Sequence, residues 1–319
     1  MCLRGISWYG FETDMRVIEG LRFHSMDYYL DILQEYQFNG LRIPISEQLV
    51  LYEPSCIPDK RNVMADLTMK GKKCIDILDV LFEKCMNRGI AILLDLHVLK
   101  IRQPHPLWYL RGNPKYTEET LFRTWGILLD KFWRYDNFLG IEIINEPHDN
   151  ASFGKGDIDT DVDWMISRFL KNYTYTPLVF LDGVWWGKDF RNVSTDILDA
   201  TRVVFSPHFY GPTLAPLPSY TPKYLAWYYD KLLGHLINEN RPIVITEWGF
   251  NPTTDMAWVT NFIDYLLDKN LRNSFFWSLN PTGKDIQGLL NNWTTIDPIR
   301  FMQIEKLCPT PTIFHFRSD

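Results

Sequence analysis

The chain has no Cys-x-x-Cys pair and no His-x-His, and its five cysteines (Cys2, Cys56, Cys74, Cys85 and Cys308) stand far apart. Neither a structural zinc site nor a hydrolase built on a bound metal is indicated. One or two disulfides stay open as alternatives. No long run of like charge exists, and 33 basic against 39 acidic residues give a formal charge of −6, which argues against nucleic acid or an anionic membrane as partner. The longest apolar stretch, residues 90–99, is interrupted by Asp95 and His97, too short and too polar to span a bilayer. GISWYGFE after the start of the chain does not match the glycine pattern of a dinucleotide-binding loop. No cofactor is implied, and the expected partner is a neutral substrate met by a monomer.

What is present is apolar and aromatic. Hydrophobic residues make up 46% and aromatics 15%, with 12 Trp, enough for a large core. Apolar strand-like runs recur at residues 5–12, 40–45, 90–97, 138–145, 178–183, 203–210, 243–248 and 274–278. AILLDL, LGIEII and PIVIT are nearly continuous, as strands read when both faces are buried in a parallel sheet. Helical periodicity fills the intervals: Met26 to Leu33, Cys74 to Cys85 with Gly89 as its stop, Leu121 to Phe132, Val162 to Phe169, a helix opening at Thr221–Pro222, Met256 to Leu267 and Phe301 to Leu307. Between the fifth and sixth strands only a short helix near residues 194–200 is expected. Eight strand–helix units predict one α/β domain over residues 1–319, a (β/α)8 TIM barrel. An open doubly wound sheet is the alternative. Pro309 to Pro311 are expected to open a simple surface tail, with a linker as the alternative.

Active groups of such barrels stand where strands run into the following loops. Those positions read Glu12, Arg42, His97, Asn145–Glu146, Asp182, His208 with Tyr210, Glu247 and Trp277. One polar strand end needs no explanation beyond solvent, but eight in sequence, all suited to carboxylate and hydroxyl chemistry, do. Cleavage of a glycosidic bond needs two carboxyl groups, about 5–5.5 Å apart when configuration is retained. Glu146 and Glu247 fit as the acid/base and the nucleophile. Arg42 is expected to keep Glu247 ionised, and Glu146 is expected to titrate higher. Asn145 suits a sugar 2-hydroxyl, His97 and His208 suit further hydroxyls, and Trp277 suits a ring face. Trp8, Glu12, Trp108, Trp185, Trp186 and Trp293 fall in or beside the predicted mouth loops, as outer sugar subsites or as ordinary loop anchors.

The segments SWYGFET, FNGLRIPIS, LLDLH, IINEP, SPHFYGP, VITEWG and FWSLNP resemble glycoside hydrolase family 5. Arg42, His97, Asn145, Glu146, His208, Tyr210, Glu247 and Trp277 match the eight positions which that family places around its reacting sugar. The resemblance implies Glu146 as acid/base, Glu247 as nucleophile and Tyr210 as the nucleophile's hydrogen-bond donor. GFET, PLWYL, DGVWWG and NPTGKDIQGLLNNWTTI resemble its cellulase branch, which implies endo-action on a β-1,4-glucan. Arg22–Phe23, Ile144 and Phe209 depart from that branch and bear on the preferred glycan. β-Mannan, β-1,3-glucan and a glycolipid glycan remain as alternative substrates, and a non-catalytic carbohydrate-binding barrel as an alternative function. Sequons at Asn150, Asn172, Asn192 and Asn292 are compatible with secretion after removal of a leader; residence inside the cell is the alternative.

Overall fold

A computed structural model describes residues 1–174, 177–198, 201–283 and 285–317. Nine parallel strands form one sheet: β1 (Arg4–Ser7), β2 (Gly40–Ser46), β3 (Ala91–Val98), β4 (Phe138–Glu142), β5 (Leu178–Asp182), β6 (Val203–Ser206), β7 (His208–Tyr210), β8 (Ile245–Gly249) and β9 (Ser274–Phe276). Their spatial order is β6-β5-β4-β3-β2-β1-β9-β8-β7. Only Pro207 separates β6 from β7, and proline has no N–H to give to a ladder. The two are halves of a single strand, and the sheet closes on itself there. Phe205 N donates to Pro242 O at 2.9 Å and Val244 N to Phe205 O at 3.0 Å across that seam. The product is an eight-stranded (β/α)8 barrel, as the alternation predicts.

Helices α1 (Met26–Glu35), α2 (Cys74–Met86), α3 (Glu118–Phe132), α4 (Val162–Asn172), the short α5 (Val184–Gly187), α6 (Pro222–Asn238), α7 (Met256–Asp268) and α8 (Pro298–Leu307) follow the strands. Side-chain oxygens of Ser25, Thr117, Asp161, Thr221 and Asp297 cap five of them. At the end of α2, Ile90 N bonds Cys85 O and Gly89 N bonds Met86 O with Gly89 at φ 67°, the paired closure that a left-handed glycine permits. The expected helix near residues 194–200 is a single 3-10 turn, Thr195–Ile197; residues 199 and 200 lie outside the described residues. A two-stranded hairpin, β10 (Leu290–Asn291) with β11 (Thr295–Ile296), is an addition that the strand pattern did not predict. No helix is long and apolar enough to cross a membrane among the described residues.

The two-residue alternation of strands sets two inward layers. The lower holds Gly5, Gly40, Leu93, Gly140, Phe180, Val204, Val244 and Phe275. A Cβ on Gly5 would stand 2.4 Å from the Phe275 ring and one on Gly140 2.5 Å from that of Phe180, so glycines make room for the two large plugs. Two residues further on, the same face carries Ser7, Arg42, Asp95, Glu142, Asp182, Ser206 and Thr246, all buried. A polar layer therefore rests on an apolar floor.

Beneath the floor, a disulfide joins Cys2 to Cys308, 306 residues apart. Buried Arg4 donates to Cys308 O and Tyr36 O at 2.7 Å each. The proline tail runs on across the base, where Thr312 N donates to Cys2 O at 3.0 Å and Arg317 N to Asp136 at 2.9 Å. The tail is part of the barrel's underside, more closely held than a simple surface tail. Closing so long a loop restricts the unfolded chain, so Cys308→Ser is expected to lower stability by at most about 5 kcal/mol. Denaturant melts of the variant beside reduced wild type check this.

Glu47, fully buried just after β2, has neither carboxylate oxygen in a hydrogen bond. Burial pushes its pKa from 4.5 up to about 7. A raised folded pKa means that its contribution to stability is complete below about pH 4.5 and is lost as pH rises through 7. The full difference is about 3 kcal/mol. Glu47→Gln is expected to remove that part of the pH dependence. Its stability relative to wild type should rise by that amount between pH 4 and pH 8, read from denaturation midpoints.

Candidate active site

The polar layer is organised by Arg42. Its Nε donates to Glu142 at 2.6 Å and Nη1 to Glu247 at 2.8 Å. Nη2 reaches Asn145 Oδ1 at 2.9 Å and Asp95 at 3.0 Å. A guanidinium with no exposure is costly unless its fork is filled with acceptors, and here it is. Burial pulls its pKa down, but Asp95, Glu142 and Glu247 outweigh that and hold it well above its ordinary value. Arg42 is a fixed positive charge under Glu247, as expected. On the opposite side of that carboxylate the Tyr210 hydroxyl donates to Oε1. Burial first, then the charges of Glu247 and Glu146, raise the phenol well above its usual range, so Tyr210 keeps its proton.

Glu146 stands after β4 in a left-handed conformation, φ 49°, which a non-glycine residue adopts at a cost of order 1–3 kcal/mol. Asp182 accepts its N–H at 2.8 Å, and the His148 ring bonds its carbonyl oxygen at 2.7 Å. These contacts hold the turn that aims the carboxyl inward. Asp182 in turn accepts the Ser206 hydroxyl at 2.7 Å. Burial, then the neighbouring Glu142, push Asp182 well above the usual carboxylate range.

His208 links the carboxylates. Its Nδ1 lies 3.1 Å from Glu146 Oε1, and its Nε2 lies 3.0 Å from both Glu142 Oε1 and Thr246 Oγ1. Burial opposes its protonation, but Asp182, Glu247, Glu142 and Glu146 raise its pKa well above 6.5. That charge acts back on Glu146: burial pushes the carboxyl up, yet the hydrogen bond and charge of His208, followed by His97 and Arg42, bring it below its ordinary value. This overturns the expectation that Glu146 titrates high. The physical reason is an imidazolium in contact with it, where the sequence offered only neutral Asn145 beside it.

One carboxylate oxygen of Glu146, one of Glu247 and a ring nitrogen of His208 all lie within 4.8 Å of one another, as do single ligand atoms of Glu142, Asp182 and His208. Either set could hold an ion; in the second the side chains are already engaged by Arg42, Thr246 and Ser206. His97 Nδ1 lies 2.8 Å from Asp95, and although burial pulls the ring down, Asp95, then Glu12 and Glu247, raise its pKa to about 9. Trp277 runs nearly parallel to the rings of His97 and Tyr9, at centroid distances of 5.3 and 5.4 Å. Glu12 accepts Gly10 N at 2.8 Å, and burial, opposed by His97, lifts its pKa to about 7.

A cleft of about 740 Å³ holds Glu146, His208, Tyr210, Glu247 and Trp277 together with Trp185, Trp186, Lys188 and a wall of Leu214, Pro216, Leu217 and Tyr228. Grooves of similar size, about 850 Å³ along α3 and about 810 Å³ beside the loop of residues 108–117, carry none of these groups. Trp185 and Trp186 are 50% and 44% exposed at φ 58° and 63°, and Trp186 stacks on His148 at 3.6 Å.

Of the six outer positions, Trp185 and Trp186 line the cleft, Glu12 is buried outside its lining, and the three remaining tryptophans do not face it. Trp8, 0% exposed, donates to Glu19 O at 2.8 Å; Ser7 points inward, so its neighbour points out into the helix layer. Trp108 is 1% exposed and donates to Glu118. Trp293, at φ 65°, is the second central residue of the hairpin turn closed by Thr294 N to Asn291 O, and its ring packs on Phe23 and Tyr29. These are core residues, not sugar platforms. Asp95, Glu142, Thr246 and Ser206 were missed. For the two acids the signal was a carboxylate inside an otherwise apolar run, AILLDL and LGIEII, since a buried charge needs a buried partner; Thr246 and Ser206 gave none.

Residues 4–283 match the model of the family described as Cellulase (glycosyl hydrolase family 5). The chain is 31% identical to an endoglucanase of Paenibacillus polymyxa, over 91% of this chain and 79% of that protein. It is 25% identical to the major extracellular endoglucanase of Xanthomonas campestris pv. campestris, over 92% of this chain but only 65% of that protein. Among solved structures, an endocellulase from Pyrococcus horikoshii in complex with cellotetraose superposes with a TM-score of 0.87 at 26% identity, covering 96% of this chain and 92% of that one. The catalytic domain of the Xanthomonas enzyme has the same fold, with a TM-score of 0.88 at 23% identity over 97% and 95% of the two chains. The chain is a glycoside hydrolase and belongs to the cellulase family, glycosyl hydrolase family 5.

Proposed function

We propose that this enzyme cuts β-1,4-glucan internally with retention of configuration, Glu247 serving as nucleophile and Glu146 as acid/base. The observation that carries the reading is the approach of the two carboxylates to within 4.8 Å, oxygen to oxygen. An inverting pair would need room for a water, about 6.5–9.5 Å. In the first step Glu247 attacks the anomeric carbon while Glu146 protonates the departing glycosidic oxygen, leaving a glycosyl ester on Glu247. In the second, Glu146 takes a proton from water, the water oxygen bonds to the anomeric carbon, and the ester bond to Glu247 breaks. Arg42 and Tyr210 hold the nucleophile in place through a hydrogen bond to each of its oxygens. Asn145, fixed by Arg42, is suited to the sugar 2-hydroxyl, and Trp277 to the face of the reacting ring. The proton that Glu146 delivers is available from His208 Nδ1, with which it shares a hydrogen bond.

The open cleft with exposed Trp185 and Trp186 supports binding of a chain interior, in line with relatives named as endoglucanases and with the cellotetraose bound by the Pyrococcus endocellulase. Viscosity and reducing ends measured together on soluble β-1,4-glucan test this. An early collapse of viscosity with few new ends is expected, with much slower attack on β-mannan and β-1,3-glucan. Faster cleavage of either of those, or ends appearing without loss of viscosity, would reject the assignment.

A further inference from the structure

Helix α6 carries more aromatic surface than its packing uses. Its inner stripe, Leu225, Tyr229, Leu232, Leu233 and Leu236, is buried against the barrel. Tyr224, Trp227 and Tyr228, at i, i+3 and i+4, share a different face. Tyr228 is half-buried and lines the cleft beside Trp185 and Leu217. The Tyr224 ring lies within 8° of parallel to it, 6.3 Å away, and the Trp227 ring centre is 5.4 Å from that of Tyr224. Trp227 is 56% exposed, with Lys231 Nζ 5.5 Å from its ring centre. Because α6 follows the strand carrying His208 and Tyr210, its first turns stand at the mouth end of the barrel. An amphipathic surface helix would present polar groups at these positions.

We infer that Tyr228, Tyr224 and Trp227 form an outer binding strip for a β-glucan chain, continuing the cleft past the groups that flank the two glutamates. The inference rests on the proposed substrate class. The occupant is argued from continuity: Tyr228 belongs both to the cleft wall and to the strip, so a chain leaving the cleft on this side passes onto Tyr224 and Trp227. Sugar rings present apolar C–H faces of the size of these aromatics. The neighbouring carboxylate, Asp230, is engaged by Tyr265 and Lys269, which leaves the strip suited to a neutral polymer.

The test compares Tyr224→Ala/Trp227→Ala with wild type on two substrates, soluble β-1,4-glucan and an aryl β-cellobioside too short to reach Tyr224 and Trp227. The polymer KM is expected to rise roughly three- to tenfold, the loss of one or two aromatic contacts. The polymer kcat and the aryl cellobioside kinetics should stay unchanged. In a Glu247→Gln background, retardation in polymer-containing gels should weaken in the same proportion. A polymer KM within twofold of wild type would overturn the strip, as would a parallel loss on the short substrate, which would mark the residues as fold supports. Absence of wild-type turnover on both substrates would refute the underlying reading, and the strip with it.

Discussion

Glu247→Gln is expected to lose turnover on every substrate by on the order of 10⁵-fold or more, the scale seen when a covalent nucleophile is removed. The amide matches the carboxylate in shape but cannot form the ester. Fold should survive, because Arg42 keeps Asp95 and Glu142 as counter-charges. A leaving-group change cannot rescue this variant, since the missing bond forms in the first step whatever departs. In wild type, a 2-deoxy-2-fluoro cellobioside with an activated leaving group should label one residue stoichiometrically, and peptide mass spectrometry should find it at Glu247. Label on another side chain, or Glu247→Gln activity within a hundredfold of wild type, would overturn the nucleophile assignment.

How far the sequence revealed this site depends on which physical constraint each residue answers. AILLDL and LGIEII read as strands because burial of both faces removes every polar position that is not paired inside. The strand ends were legible for the same reason: Asn145–Glu146 and Glu247 each close an apolar run. Side-chain direction was less well read. Trp8 follows inward Ser7, so alternation sends its indole outward, and adjacency to the mouth counts for nothing. Trp293 could not be placed from pattern at all, because its turn depends on left-handed Asn292 and Trp293 and on a pocket formed by Phe23 and Tyr29, far away in sequence.

The electrostatics were the least legible. Arg42 beside Glu247 was foreseeable from two strand ends facing one another. The state of Glu146 was not, because it is set from across the barrel by His208, which draws its charge from Glu142 on β4 and Asp182 on β5. Three carboxyls and one imidazole from three strands make a network in which no member's protonation follows from its own neighbours in the chain. Glu142 shows the same dependence: burial would raise it, yet Arg42 and His208 bring it well below the ordinary range. The layer is viable because its cations and anions are interleaved at hydrogen-bond distance.

That network shapes the second large effect. Glu146→Ala removes proton delivery in the first step and proton removal in the second. General acid–base assistance of this kind contributes about 10²–10⁴-fold. Glucan cleavage, whose leaving group is a sugar hydroxyl, should fall by about the upper figure. A dinitrophenyl cellobioside needs no proton to depart, so its glycosyl ester should form at near wild-type rate and then accumulate. Azide, nucleophilic without a base, is expected to restore turnover by giving the β-glycosyl azide, the β-anomer marking two successive displacements. The pH profile supplies an independent sign. In wild type, Glu146 and His208 share a proton across their hydrogen bond, with Glu146 held low and His208 held high. The alkaline limb of kcat/KM therefore follows loss of the pair's proton rather than of a lone carboxylic acid. With alanine at the acid/base position and an activated substrate that limb should disappear, while the acidic limb, which requires ionised Glu247, stays. An α-azide product, no azide effect, or an alkaline limb that persists unchanged would each remove Glu146 from the role assigned to it.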